Sequence, residues 1–208
     1  MKLSKNPLHE LLSYGNSKLP KSTAIFNLGS ATNHCPNKGS KRCQVNESEC
    51  YAISTETRFL TAKKFRDRQL KFWESIPVSN WIHYFNLVQD AKINKVKKIR
   101  FNVSSDLRSQ SDINRIDRIA KVLDIPVYLY TASSFLDFSN IDNTIINCSN
   151  LDLWNKYRNK NNFNFYTVVK TEKQLNNFIS QGYKKCKNDC SICNYCSQST
   201  GKIVQLLH

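Results

Sequence analysis

Cysteine placement constrains this chain more than any other feature. Four of its eight cysteines fall in one polar segment near the end, Cys186-Lys-Asn-Asp-Cys190-Ser-Ile-Cys193-Asn-Tyr-Cys196. Such short gaps let a single loop wrap soft thiolate ligands around one point, as a metal ion or cluster requires. Cys35, Cys43 and Cys50 lie early in the chain, and Cys148 stands alone. Disulfides are the other use of eight cysteines. The opening Met-Lys-Leu-Ser-Lys-Asn-Pro-Leu has no apolar signal-peptide run, and no later stretch is long enough to span a membrane. The expectation is a cytoplasmic protein without membrane contact, whose clustered thiols hold metal in reducing surroundings.

A single domain over residues 1–208 suits this length, with residues 183–208 as a Cys-cluster extension of it. Three Trp, nine Tyr and eleven Phe can fill its core. The net charge of +15 favours a polyanionic partner, so nucleic acid is a candidate. The Lys-rich stretches Lys92 to Arg100 and Lys184 to Lys187 would carry that contact. Abundant Asn, Lys and Ile, as an AT-rich genome would encode, offer a plainer origin for the charge.

Strand signals run over Thr23 to Leu28, Val96 to Val103, Val127 to Tyr130, Thr144 to Cys148 and Phe163 to Val169. Helical spacing appears over Cys50 to Glu74 (Ala52, Phe59, Ala62, Phe65, Leu70, Phe72), Ser79 to Asn94, Asp112 to Val122 with Asp112 as cap, and Thr171 to Ile179 with Thr171 as cap. Strands alternating with helices predict parallel βαβ units: an α/β fold, a partial (βα) barrel of about five or six mostly parallel strands with Cys-rich metal-binding loops. An open doubly wound sheet is the alternative. The polar loop Gly29 to Glu49 is long enough to need an organiser, and bound metal would serve.

In either architecture functional residues gather beyond the carboxyl ends of parallel strands. That places Cys35 and Cys43, Ser104 and Asp106, Thr131 and Ser133, and Cys148 on one face. Cys35, Cys43, Cys50 and Cys148 would form a four-thiolate site, or the first three would leave one position open. Cys148 reads equally as a small buried hydrophobe. Asp106 is a ligand contact or a helix cap. His34 adjoins Cys35 as ligand or as a solvated loop residue, and His83 reads as packed among aromatics. Metal ligands are thus expected among Cys35, Cys43, Cys50, Cys148, Cys186, Cys190, Cys193 and Cys196, and cofactor contacts at Ser104, Asp106 and Thr131.

The repeated gaps Cys190-x-x-Cys193-x-x-Cys196 resemble ferredoxin ligation and favour a cubane iron–sulfur cluster, with zinc as the alternative. Cys186-x3-Cys190-x2-Cys193 also fits the radical S-adenosylmethionine pattern. Its position after the strands is wrong for that superfamily, and Cys196 would fill the iron position that must stay open.

Asn16-Ser-Lys-Leu19, Cys35-Pro36, Cys43, Cys50-Tyr-Ala52, Phe101-Asn-Val-Ser-Ser-Asp106, Tyr128-Leu-Tyr-Thr131, the terminal cysteines and a closing strand ending in His208 appear in that order. Together they resemble the phage and plasmid gene product 88-like family, whose members look like shortened radical S-adenosylmethionine barrels. The resemblance implies a partial barrel with iron–sulfur centres, and brings Asn16 and Lys18 to the same face. Where its pattern has Ser-Gly-Asp after the central strand, this chain has Ser105 for the Gly. The early cysteines are also more widely spaced than a three-and-two motif.

The function expected is an iron–sulfur protein of radical S-adenosylmethionine type with one or two 4Fe-4S clusters. S-adenosylmethionine would be its small-molecule cofactor, and a reductant its partner. The alternative is a zinc- or cluster-stabilised basic nucleic-acid-binding module without catalysis.

Overall fold

A computed structural model describes residues 6–91 and 95–206. The expected helix end at Asn94, Lys92 and the terminal His208 lie outside them. Eight strands among the described residues form one sheet: β1 (Ser13–Tyr14), β2 (Thr23–Phe26), β3 (Lys98–Phe101), β4 (Val127–Thr131), β5 (Ile145–Cys148), β6 (Phe163–Val169), β7 (Lys184–Lys185) and β8 (Lys202–Leu206). Their order is β1-β2-β3-β4-β5-β6-β8-β7. Every neighbouring pair is parallel except β1 with β2. The sheet is open, and β1 to β6 follow chain order without the mid-sheet reversal of a doubly wound sheet.

Helices α1 (Pro7–Leu11), α2 (Ala31–His34), α3 (Tyr51–Arg58), α4 (Leu60–Ser75) and α5 (Val78–Asp90) precede β3. Then α6 (Gln110–Val122) joins β3 to β4, α7 (Leu151–Tyr157) joins β5 to β6, and α8 (Glu172–Ser180) follows β6. Side chains alternate across a strand, so each strand faces two environments. Phe26, Ile99, Phe101, Leu129, Ile146, Cys148, Phe163 and Phe165 face the apolar core with helix residues such as Trp73, Trp81, Ile116 and Leu153. Phe26 sits 5.9–6.1 Å from Trp73, Trp81 and Phe101, ring centre to ring centre. The opposite face carries Lys98, Arg100, Tyr128, Tyr130, Asn147, Asn164 and Tyr166, polar or amphipathic groups that an apolar layer would exclude.

Several sequence expectations shift. The single helix expected over Cys50 to Glu74 is two, broken at Phe59, whose backbone is extended. Phe59 is exposed, and the buried stripe of α4 instead uses Arg66, Gln69, Leu70 and Trp73. Hydrophobic periodicity misses it because two of the four are polar: Arg66 pairs with Glu56 at 2.7 Å, and Gln69 accepts from the Asn27 amide at 2.9 Å. Asp112 is not the cap of α6. Ser109 is, and Asp112 lies in the first turn, accepting from Trp73 Nε1 at 2.9 Å. Thr171 caps α8 as expected, within a full capping box. His83 is exposed rather than packed. The helix α7 between β5 and β6 was not anticipated.

Candidate functional site

The polar face of the sheet opens onto a cavity of about 500 Å³. Seven of the eight cysteines line it: Cys35, Cys43 and Cys50 from the loop after β2, and Cys186, Cys190, Cys193 and Cys196 from the terminal segment. Asn16, Lys18, Asp106 and Thr131 line it too.

Cys148 does not. It ends β5 on the helix side of the sheet, fully buried in the apolar core, and burial pushes its thiol up to about 12. His34 is also absent from the lining, and its ring faces Asp67 at 3.4 Å.

The early loop is held by polar contacts at both ends. Asn37, buried, donates to Asp106 Oδ2 at 2.7 Å and to Ser133 Oγ at 2.9 Å, while Arg42 donates to Asn37 Oδ1 at 2.9 Å. Asp106 also accepts from the Leu107 and Ala132 amides, each at 2.7 Å. Burial raises its carboxyl above the usual range against these donors. Asp106 therefore ties the loop after β3 to the loop after β4 and caps no helix. Ser104, expected among the cofactor contacts, is outside the cavity lining. Its hydroxyl donates to buried Glu56 at 2.7 Å and accepts from the Ala31 amide at 3.1 Å.

The terminal segment is clamped onto the polar face by two buried asparagines. Asn147 donates to the Cys196 carbonyl at 2.9 Å. Asn164 donates to the Gln198 carbonyl at 2.8 Å and accepts from the Thr200 and Gly201 amides at 2.8 and 2.9 Å. The Cys190 amide reaches the Lys18 carbonyl at 2.9 Å. Around the thiols, Tyr130 donates to Cys196, and Tyr166 is bonded to Gln205, whose amide donates to Asn188 at 2.7 Å. Burial holds both phenols well above their ordinary range, so they stay neutral.

Within each set the thiols are electrostatic neighbours. Burial pushes Cys35 up to about 12, and thiolate charge on Cys43 or Cys50 would push it further. Cys196 is likewise pushed up to about 12 by burial, with Cys186 and Cys190 acting in the same sense. Yet among the described residues no three His, Cys, Asp or Glu side chains are gathered as one metal-holding set. The donor chemistry, soft thiols of two sets around one space, fits an iron–sulfur cluster or zinc.

The sequence reading missed the strand residues of the cavity wall: Lys98, Arg100, Asn102, Tyr128, Tyr130 and Tyr166. The signal was available as polar residues at every second position of otherwise apolar strands. Of the two Lys-rich stretches, Lys98 and Arg100 turn into the cavity, while the ammonium groups of Lys184 and Lys187 lie over the Tyr195 ring at 5.2 and 6.0 Å. Among the described residues no helix is long and apolar enough to cross a membrane.

No curated protein and no solved structure matches this chain. A family model described as Gene product 88 matches residues 2–202, nearly the whole length, so the chain belongs to the gene product 88 family.

Proposed function

We propose that this protein is an iron–sulfur protein of radical S-adenosylmethionine type, built on a partial (βα) barrel. Cys35, Cys43 and Cys50 would hold one cluster, and Cys186, Cys190, Cys193 and Cys196 a second. The observation that carries this reading is the division of the cavity-lining cysteines into three from the loop after β2 and four from the terminal segment. Three thiolates leave one iron of a cubane free for a small molecule, whereas four close it. Cys148, in the core, is not needed for either set.

When bound, such a centre supplies one-electron reduction of a sulfonium cofactor. The residues of this chain do the rest. Asn37 and Asp106 fix the early loop against the sheet, and Asn147 and Asn164 fix the terminal one. Tyr130 beside Cys196 acts against the burial that pushes this thiol up. The neutral phenols of Tyr130 and Tyr166 lie beside the terminal set. Both sets border the same space.

The test is anaerobic purification followed by electron paramagnetic resonance of the reduced protein, with and without S-adenosylmethionine. A cluster signal altered by the cofactor supports the reading. Colourless protein with stoichiometric zinc refutes it and favours the metal-stabilised nucleic-acid module, for which the +15 charge speaks.

A further inference from the structure

One part of the cavity wall comes from β3 and the turn after it. Lys98, Arg100 and Asn102 stand at alternate positions on one face, and Ser105 follows, all lining the cavity. Among the described residues, Arg100 Nε, Asn102 Nδ2 and Ser105 Oγ are buried without a hydrogen-bond partner. Asn102 is only 3% exposed, and its other amide atom is committed to the Leu28 amide at 3.1 Å. Its free end is therefore an unpaired donor on a residue of the cavity lining. The Arg100 guanidinium lies over the Tyr130 ring at 4.5 Å, yet among the described residues no carboxylate forms an ion pair with it. A secluded cation with no carboxylate paired to it and orphaned donors beside it is costly unless an acceptor-rich group arrives.

We propose that Arg100, with Asn102 and Ser105, anchors the anionic group, a carboxylate or a phosphate, of a small-molecule substrate in this cavity. The guanidinium presents a planar fork suited to two anion oxygens, and its stacking on Tyr130 holds that fork in place. Ser105 and Asn102 both sit at positive φ, 64° and 56°. That backbone conformation is uncommon for residues other than glycine, and here two polar residues of the same cavity lining adopt it. The inference names a substrate class for the site proposed above, and its test separates the two.

Isothermal titration with inorganic phosphate and with acetate, on anaerobically prepared holo-protein, reads the site directly, with iron content measured alongside. Wild type should bind at least one of the anions, and which one names the source. Arg100→Gln should weaken that binding about 10- to 100-fold at unchanged iron, with Arg100→Lys in between. Asn102→Asp, which keeps the acceptor for the Leu28 amide but adds negative charge, should abolish it, and serves if Arg100→Gln fails to fold. Anion binding by iron-free protein would end the cluster reading and leave this one standing. No anion bound by iron-loaded wild type, or equal binding by wild type and the variants, would overturn it. Iron lost from Arg100→Gln when wild type binds no anion would make Arg100 a partner of the cluster instead.

Discussion

Asn147 Nδ2 donates to the carbonyl of Cys196 at 2.9 Å, so a fully buried strand residue holds the last cysteine of the chain against the sheet. The terminal cysteine segment is thus placed by the protein's own hydrogen bonds, before any metal adds to its stability. Asn164 extends the clamp by one strand, and its amide donates to Asn147 Oδ1 at 3.2 Å.

The first prediction follows from that clamp. Asn164→Ala would leave the half-buried Thr200 and Gly201 amides without their partner, at a cost of about 1 kcal/mol. Urea denaturation should register the loss. Hydrogen exchange should quicken over residues 194–201 more than in α6. Unchanged protection there would mean the clamp does not hold the segment.

Glu56 gives the second. It is buried, and burial alone would raise its carboxyl. Hydrogen bonds from Thr32 and Ser104, with Arg66 beside them, outweigh that and lower it to about 2. A group depressed in the folded state stabilises above its unfolded value of 4.5 and loses that contribution as pH falls toward about 2. The contribution at neutral pH is about 3 kcal/mol at most. Wild type should therefore lose stability between these limits, and Glu56→Gln should flatten that part of the acid profile while lowering stability at pH 7.

Ser105 provides a third. Its positive φ of 64° favours glycine. Ser105→Gly should raise stability by about 0.5–1 kcal/mol in thermal denaturation. If the Ser105 hydroxyl serves the anion, the same variant should bind it less well. A stability loss would show that the serine side chain supports the turn.

Cys148 gives the fourth. Packed in the apolar core rather than on the cavity, it should behave as a small hydrophobe. Cys148→Ala should cost about 1 kcal/mol and leave metal content as in wild type. Metal lost in this variant would return Cys148 to the ligand set.

Much of this was legible in the sequence, and the limits are physical. Phe163–Val169 and the Thr171 cap could be read because β-branched and aromatic runs, and a cap followed by Gln174, are local signals. The alternation of strands and helices likewise foretold a mostly parallel sheet. Strand-end geometry brought the early loop, Asp106 and Thr131 to one cavity. The same argument wrongly carried Cys148 with them, because side-chain direction alternates along a strand and a residue at its end can point to either side. Ser104 failed similarly, being captured by Glu56, a partner 48 residues away. Asn147, Asn164 and Arg100 were missed because their alternation marks a polar strand face but does not say which partner each residue meets there.

The most direct test counts iron and acid-labile sulfide per chain in anaerobically purified wild type, Cys190→Ala/Cys193→Ala and Cys35→Ala/Cys43→Ala. Two cubane clusters give about eight iron and eight sulfide in wild type, and each double variant should retain about half. Electron paramagnetic resonance should lose a different signal in each. Iron absent from wild type, or unchanged in both variants, would contradict the assignment of the two thiol sets.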